Sequence, residues 1–305
     1  MSRTFLVFAI LATVVAVPFI AFNLIVGFLG STTAAGMGLV FSFGYLALIL
    51  LVLRLTPFWP RLPFGQTLWW MVASLMWGAG FCMTIVLLTA GPATYMAQAA
   101  GWEDALASFG GAYPEEPAKA LGVLVILLAF RGLNRPWHGL ATGAVVGLGF
   151  ETIENFLYGA MLASLHPDSD FDGVIGAWVL RVFAGPGLHI IWTGLVGWGL
   201  GQALFAARRG LLWRFGVVFG WLSVAFVAHF LWNYLGSNSV ALATMVLAGV
   251  IQYTAIAWVV WRAWRQAKRD RTYVYTKGAI TSIKQWRETM PPARGRHRVE
   301  AESGL

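Results

Sequence analysis

The stretch YPEEPAKALGVLVILLAF, residues 113–130, places two adjacent glutamates, Glu115 and Glu116, at the head of an apolar run. Ionisable side chains are costly at membrane depth, so they persist mainly where a pathway or a reaction needs them. Lys119 follows Glu115 by one helical turn and is its predicted ion-pair partner. A simpler alternative is that both glutamates favour the positive end of a helix dipole at the water boundary, with Pro117 in the first turn. In both interpretations, the stretch predicts a membrane helix that begins at Glu115.

The composition of the whole chain indicates a membrane protein. Hydrophobic residues make up 58% of the 305 residues, charged residues make up 11%, and the mean hydropathy is +0.70. Because soluble domains carry about 25% charged residues, this composition excludes a soluble globular protein. The single cysteine, Cys82, excludes an internal disulfide and a cysteine-rich metal site. The net charge of +8 does not indicate a nucleic-acid partner, because about half of the basic residues lie from Arg262 onward.

The hydropathy pattern predicts an all-α fold, a polytopic transmembrane helical bundle of about eight spans. A span needs about 20 apolar residues. The predicted spans cover residues of about 5–29, 33–53, 67–90, 115–130, 138–164, 174–206, 211–235 and 239–262. Pro186 is expected to divide the sixth span into a short outer helix and the span proper. Four central helices are expected to form one polar site.

Basic residues sort to one side of this topology. They precede the first span, follow the second, and fill the connection after the sixth span and the region after the eighth. By the positive-inside rule, that side is cytoplasmic, which places both termini in the cytoplasm. The transmembrane domain is predicted over residues 1–262. Residues 263–305 are predicted to form a basic cytoplasmic tail that is partly disordered and contacts anionic head groups.

Polar side chains recur at a similar predicted depth on four spans. Besides the glutamate pair, they are Glu151, Glu154 and Asn155 on the fifth span, His189 on the sixth, and His229 and Asn233 on the seventh. At a rise of about 1.5 Å per residue, all of them fall in the outer half of the membrane. Residues four apart share a helix face, which pairs Phe150 with Glu154 and His229 with Asn233. Such convergence on four helices predicts one shared site.

These residue types indicate hydrolysis. A carboxylate, alone or with histidine, can act as a general base on water, and His and Asn can stabilise an oxyanion. The same ligands could instead hold a divalent metal such as zinc that activates water. The chain has no His-Glu-x-x-His sequence, no aspartate within a predicted span and no Gly-x-Ser-x-Gly elbow. Two other classes stay open: a proton-coupled transporter with a Glu–His relay, and a non-catalytic membrane scaffold.

Four motifs resemble those of PrsW-type intramembrane proteases, relatives of the CAAX prenyl endopeptidases and bacteriocin-processing membrane proteins. EEPAK (115–119) resembles the Glu-Glu-x-x-Lys motif, and GLGFETIEN (147–155) resembles Phe-x-x-x-Glu-Asn. HIIWTGLVGWGLG (189–201) resembles the glycine-rich helix with its histidine, and HFLWN (229–233) resembles His-x-x-x-Asn. The resemblance covers residues of about 110–240.

The resemblance implies an intramembrane endopeptidase of the bacterial inner membrane that cleaves a membrane-anchored protein, such as an anti-sigma factor, near the outer boundary. The implied catalytic residues are Glu115 as the base, Glu116 as its support, Glu154, His189, His229 and Asn233. The expected supporting residues are Lys119, Phe150, Glu151 and Asn155. A metal, if present, is expected on Glu115, Glu154, His189 and His229. CAAX-type relatives carry histidine at the position of Glu154, so the choice between a glutamic and a metal-dependent mechanism stays open.

Overall fold

A computed structural model describes residues 3–270 and 275–290, apart from the side chain of Ser164. Within these residues the longer α-helices are α1 (Arg3–Gly30), α2 (Thr32–Arg54), α3 (Phe64–Met76), α4 (Met83–Ala99), α5 (Leu106–Ala129), α6 (Pro136–Leu165), α7 (Asp170–Ala184), α8 (Leu188–Phe205), α9 (Leu211–Trp232) and α10 (Asn238–Arg269). A short helix, α11, covers Ile283–Thr289. The predicted all-α fold is confirmed.

Six helical stretches of the described chain are long and apolar enough to cross a membrane. They are Arg3–Gly30, Thr32–Arg54, Phe64–Ala99, Asp170–Phe205, Leu211–Trp232 and Asn238–Arg269. These match six of the eight predicted spans. The stretches 115–130 and 138–164 are not among them, so the count of eight is not confirmed. They lie in α5 and α6, whose residues are mostly buried, and polar side chains that face a bundle interior lower the hydropathy of such helices.

Helix α5 begins well before the glutamate pair. It starts at Leu106, so the prediction that the helix begins at Glu115 is wrong. At a rise of about 1.5 Å per residue, Glu115 lies about 13 Å from the start of the helix. Dipole effects fall off within the first turn, so they do not explain the pair. Pro114 and Pro117 are both inside the helix, and the side chains of Glu115 and Glu116 are buried.

A π-helical segment, Trp77–Cys82, joins α3 to α4 and packs against three other helices. A Cβ atom added at Gly78 would lie 2.0 Å from the carbonyl oxygen of Val146 in α6. One added at Gly80 would lie 2.3 Å from the Cβ of Ala16 in α1. The Trp77 indole donates a hydrogen bond of 3.0 Å to the carbonyl of Ala118 in α5. The segment therefore fixes α5 just after the glutamate pair.

Helices α6 and α8 touch along a row of glycines four residues apart, Gly139, Gly143 and Gly147. A Cβ atom added at Gly143 would lie 2.2 Å from the carbonyl oxygen of Thr193, and one at Gly147 would lie 2.2 Å from that of His189. Small residues at this spacing let membrane helices approach closely. This contact seats the first turn of α8 directly against α6.

The predicted division of the sixth span at Pro186 is confirmed. Helix α7 ends at Ala184 and α8 begins at Leu188. The connection contains Gly187 in the left-handed conformation, with a φ of 69°. The break starts a new helix only one residue before His189, so the N-terminus of α8 lies at the polar site.

The last long helix extends past the end of the eighth predicted span. Helix α10 continues to Arg269, beyond the expected boundary at residue 262. Within 275–290, the indole of Trp286 in α11 donates to the carbonyl of Arg209 at 2.9 Å, and Tyr275 forms an isolated bridge with Ala206. Residues 271–274 and 291–305 lie outside the described part of the chain, so disorder of the tail stays a prediction.

Candidate active site

Side chains from three helices converge on one buried cluster. Glu115 and Glu116 come from α5, His189 comes from α8, and His229 comes from α9; each offers a ligand atom within 4.8 Å of the others. All four residues are buried, and Glu116 is 0% exposed. The nearest carboxylate oxygen of Glu115 lies 3.6 Å from His189 Nδ1 and 3.9 Å from His229 Nε2. These distances place both imidazoles within reach of one water bound to Glu115.

The ammonium group of Lys119 lies inside this cluster. Its Nζ is 2.6 Å from Glu116 Oε1, 3.2 Å from Glu115 Oε2 and 3.0 Å from His189 Nδ1. The expected Lys119–Glu115 pair is therefore present, with two further partners. An ammonium has three donors and no acceptor, so these three contacts satisfy it. Because Lys119 can only donate, Nδ1 of His189 accepts, and its Nε2 carries the proton.

His229 is fixed on both ring nitrogens and on one face. Its Nδ1 donates to Glu116 Oε1 at 2.8 Å, and its Nε2 accepts from the amide of Asn233 at 3.1 Å. The ring stacks on Trp192, with 4.1 Å between centroids. The Trp192 indole in turn donates to Gln252 at 2.7 Å. This tautomer, assigned from the hydrogen bonds, directs the Nε2 lone pair towards Glu115 and Asn233.

Glu154 lies beside His189 but outside the four-residue cluster. Its Oε2 accepts from His189 Nε2 at 2.9 Å. The same oxygen is paired with Arg181 from α7, which also donates to Asn155. Glu154 therefore holds the Nε2 edge of the imidazole, which points away from Glu115. Arg181 balances the charge of Glu154.

Glu151 anchors the first turn of α8. Its Oε2 accepts from the backbone N–H groups of His189 at 3.0 Å and Ile190 at 3.3 Å. Its Oε1 accepts from the hydroxyl of Tyr45 in α2 at 2.5 Å. Free N–H groups and the dipole at a helix start favour a carboxylate there, so Glu151 needs no contact with a cation. It positions the backbone of His189.

Phe150 lines the cluster. Its ring is 4.7 Å from that of His189 and 4.7 Å from the Lys119 ammonium, centroid to nitrogen. Sequence reasoning did not identify Tyr45 or Trp192. Trp192 lies three residues after His189 on the same helix face, a signal that could have found it. A lone tyrosine in the apolar run of α2 offers no such signal.

Gly111 in α5 lies next to Glu115, beside Asn233 and His229. A Cβ atom there would lie 2.6 Å from Asn233 Nδ2, 3.3 Å from His229 Nε2 and 3.6 Å from Glu115 Oε1. Without a side chain at Gly111, the Asn233 amide, the His229 imidazole and the Glu115 carboxylate can come together. These are the groups that a hydrolytic water and a developing oxyanion require.

The donor chemistry of the cluster fits a divalent metal. Two carboxylates and two imidazoles are typical zinc ligands, and Glu116 Oε2 is buried without a hydrogen-bond partner. The set differs from the expected one, because Glu116 takes the place of Glu154. The reason is that His189 turns Nε2 towards Glu154 and Nδ1 towards the cluster. The Lys119 ammonium contacts three of these four residues.

A family model described as PrsW family intramembrane metalloprotease matches residues 66–263. This range covers more than half of the chain and includes all four motifs and the whole cluster. Comparisons with curated proteins and with solved structures found no match.

Proposed function

This chain belongs to the PrsW family of intramembrane metalloproteases, and we propose that it hydrolyses a peptide bond of a membrane-anchored protein near the outer membrane boundary. Family membership makes it a membrane protease; the substrate and the residue roles are our proposal. The observation that supports it best is the buried cluster of Glu115, Glu116, His189 and His229. A cluster of acids and imidazoles inside an apolar bundle is costly unless chemistry needs it.

Glu115 acts as the general base. Glu116 is held by short contacts to Lys119 and His229 and is 0% exposed, so it is the supporting carboxylate. Glu115 has longer contacts, and its Oε1 lies close to Gly111, beside Asn233 and His229. A water beside the Glu115 carboxylate gives it a proton as that water attacks the scissile carbonyl. The same carboxyl then delivers the proton to the leaving amine.

Asn233 stabilises the charge that develops on the carbonyl oxygen, and His229 orients the Asn233 amide through its Nε2 lone pair. The Asn233 amide has two N–H donors and uses one for His229, so the other can bind the oxyanion. His229 keeps its orientation through Glu116 and Trp192. His189, oriented by Glu151 and Glu154, lies 3.6 Å from Glu115 Oε2.

The metal-dependent form of the mechanism would use the same residues. Glu115, Glu116, His189 and His229 would hold the ion, which supplies Lewis-acid activation of water when bound. In that form Glu154 stays outside the ligand set and orients His189 through Nε2.

The proposed substrate is a single-span protein of the anti-sigma-factor kind, cleaved in the bacterial inner membrane. The support is the family relationship and the predicted topology, with both termini cytoplasmic and the polar residues in the outer half. The apolar exterior of the bundle suits a substrate that arrives through the bilayer.

The test is cleavage of a single-span reporter by Glu115→Gln in native membranes. General acid–base catalysis contributes about 100-fold to 10,000-fold, so we expect a loss within or above that range at unchanged expression. The matched control is Glu103→Gln, because Glu103 is exposed and lies outside the cluster. Cleavage by Glu115→Gln at the rate of the control would contradict the proposal, and proton flux in sealed vesicles without cleavage would favour a transporter.

A further inference from the structure

The polar cluster already contains a cation that belongs to the chain. We propose that the Lys119 ammonium and a divalent metal bind this cluster in competition, so that the metal enters only when Lys119 withdraws. The metal itself is implied by the family, whereas the competing lysine is read from the contacts of this cluster. The proposal concerns binding and does not depend on the cleavage proposed above.

The ammonium occupies the ligand atoms that a metal would need. It contacts Glu116 Oε1 at 2.6 Å, Glu115 Oε2 at 3.2 Å and His189 Nδ1 at 3.0 Å. The lone pair of His189 Nδ1 is therefore directed at Lys119. A metal ligated by that nitrogen and by these carboxylate oxygens would lie where the ammonium now lies. The two cations cannot share those positions.

The charge of the cluster favours one divalent ion without the ammonium. Two ionised carboxylates neutralise a divalent ion in full, whereas the additional ammonium would leave a surplus positive charge in a buried site. Repulsion between an ammonium and a divalent ion about 4 Å apart stays strong even at an effective dielectric constant of about 20. Without a metal, removal of the ammonium would instead leave two buried anions side by side.

The surroundings of Lys119 hold it in this position. The residue is 0% exposed, and its ammonium lies 4.7 Å from the centroid of Phe150 and 5.8 Å from that of Trp192. Both rings attract a cation through their faces. Lys119 is therefore an internal counter-ion, and a metal must displace it from five contacts.

The experiment compares metal affinity in the purified full-length wild type and in Lys119→Met. Methionine keeps the apolar stem against Phe150 and removes the charge. We measure the Zn²⁺ dissociation constant by chelator competition and the visible spectrum of bound Co²⁺. We expect Lys119→Met to bind Zn²⁺ at least about 100-fold more tightly, because no ammonium has to be displaced from the ligand atoms. Lys284→Met, at an exposed position of α11, should match the wild type.

Two further variants keep the result interpretable. Lys119→Gln serves the same purpose if Lys119→Met is not monodisperse in detergent. Lys119→Met combined with Glu116→Gln should lose the gain in affinity, which assigns the ion to this cluster. Equal Zn²⁺ affinities in the wild type and both Lys119 variants would overturn the proposal. Because binding is measured without substrate, that failure would leave the proposed cleavage untouched, and a failure of cleavage would leave the competition standing.

Discussion

The two glutamate pairs of this protein lie side by side in the bundle but have different partners. Glu115 and Glu116 on α5 share one buried ammonium and face two imidazoles. On α6, Glu151 and Glu154 divide their contacts instead. Glu151 binds the backbone at the start of α8, and Glu154 pairs with an arginine while it holds His189 from the other side.

This comparison indicates that the role of a buried carboxylate depends on the group that neutralises its charge. The charge of the pair on α5 is neutralised by a cation inside the cluster, so its carboxylate oxygens lie next to the proposed reaction site. The pair on α6 is compensated by a helix start and by Arg181, both at the margin of the cluster. We therefore expect the first pair to act on substrate or metal, and the second pair to position His189.

The largest effect beyond the loss of Glu115 is expected for Glu116→Gln. The substitution removes the anion that binds both Lys119 and His229, so the base and the Asn233 amide that His229 orients lose their alignment. Loss of such an electrostatic group costs about 100-fold to 1,000-fold in kcat. The measurement is reporter cleavage at matched expression, and a loss of less than tenfold would show that Glu116 is only a packing residue.

A smaller loss is expected for Glu154→Gln. Partners that orient a ligating or catalytic histidine cost about 10-fold to 100-fold when removed. Because Arg181 acts through Glu154, Arg181→Gln in the Glu154→Gln background should add little to the loss of rate. Cleavage rates of the two single variants and the double variant form the test. Fully additive losses would place Arg181 in a separate role.

The smallest effect is expected at Glu151. Two substitutions there test whether the side chain acts as a hydrogen-bond acceptor or only fills space. Glu151→Ala leaves the N–H groups of His189 and Ile190 without their acceptor, whereas Glu151→Gln keeps one acceptor oxygen. An unsatisfied buried donor costs about 1–3 kcal/mol, so Glu151→Ala should lower kcat by roughly tenfold at an unchanged KM. Glu151→Gln and Tyr45→Phe should stay within about threefold of the wild type. If Glu151→Gln lowers kcat as much as Glu151→Ala does, the carboxylate charge itself is required.

Several features of the fold and site followed from the sequence because they rest on local patterns. Apolar runs of spanning length gave six of the predicted spans, Pro186 marked the helix break, and four-residue spacing paired His229 with Asn233. The start of α5 was missed because Pro114 and Pro117 suggest an N-terminus, yet the helix continues through both. The predicted metal set contained Glu154, whereas the cluster of close ligand atoms contains Glu116 in its place and shares Glu115, His189 and His229.

Local sequence patterns indicate an apolar helical chain with acids, imidazoles and an amide on four of its helices. Hydropathy and helical period are properties of consecutive residues, so they can be read without a structure. Packing between the helices sets which carboxylate faces which nitrogen. This arrangement depends on the close approach of α6 and α8 along Gly147 and on the Trp77 contact to α5. It also depends on the burial of Lys119, whose ammonium contacts both glutamates of α5 and His189. Such contacts join residues far apart in the chain, and only packing brings them together.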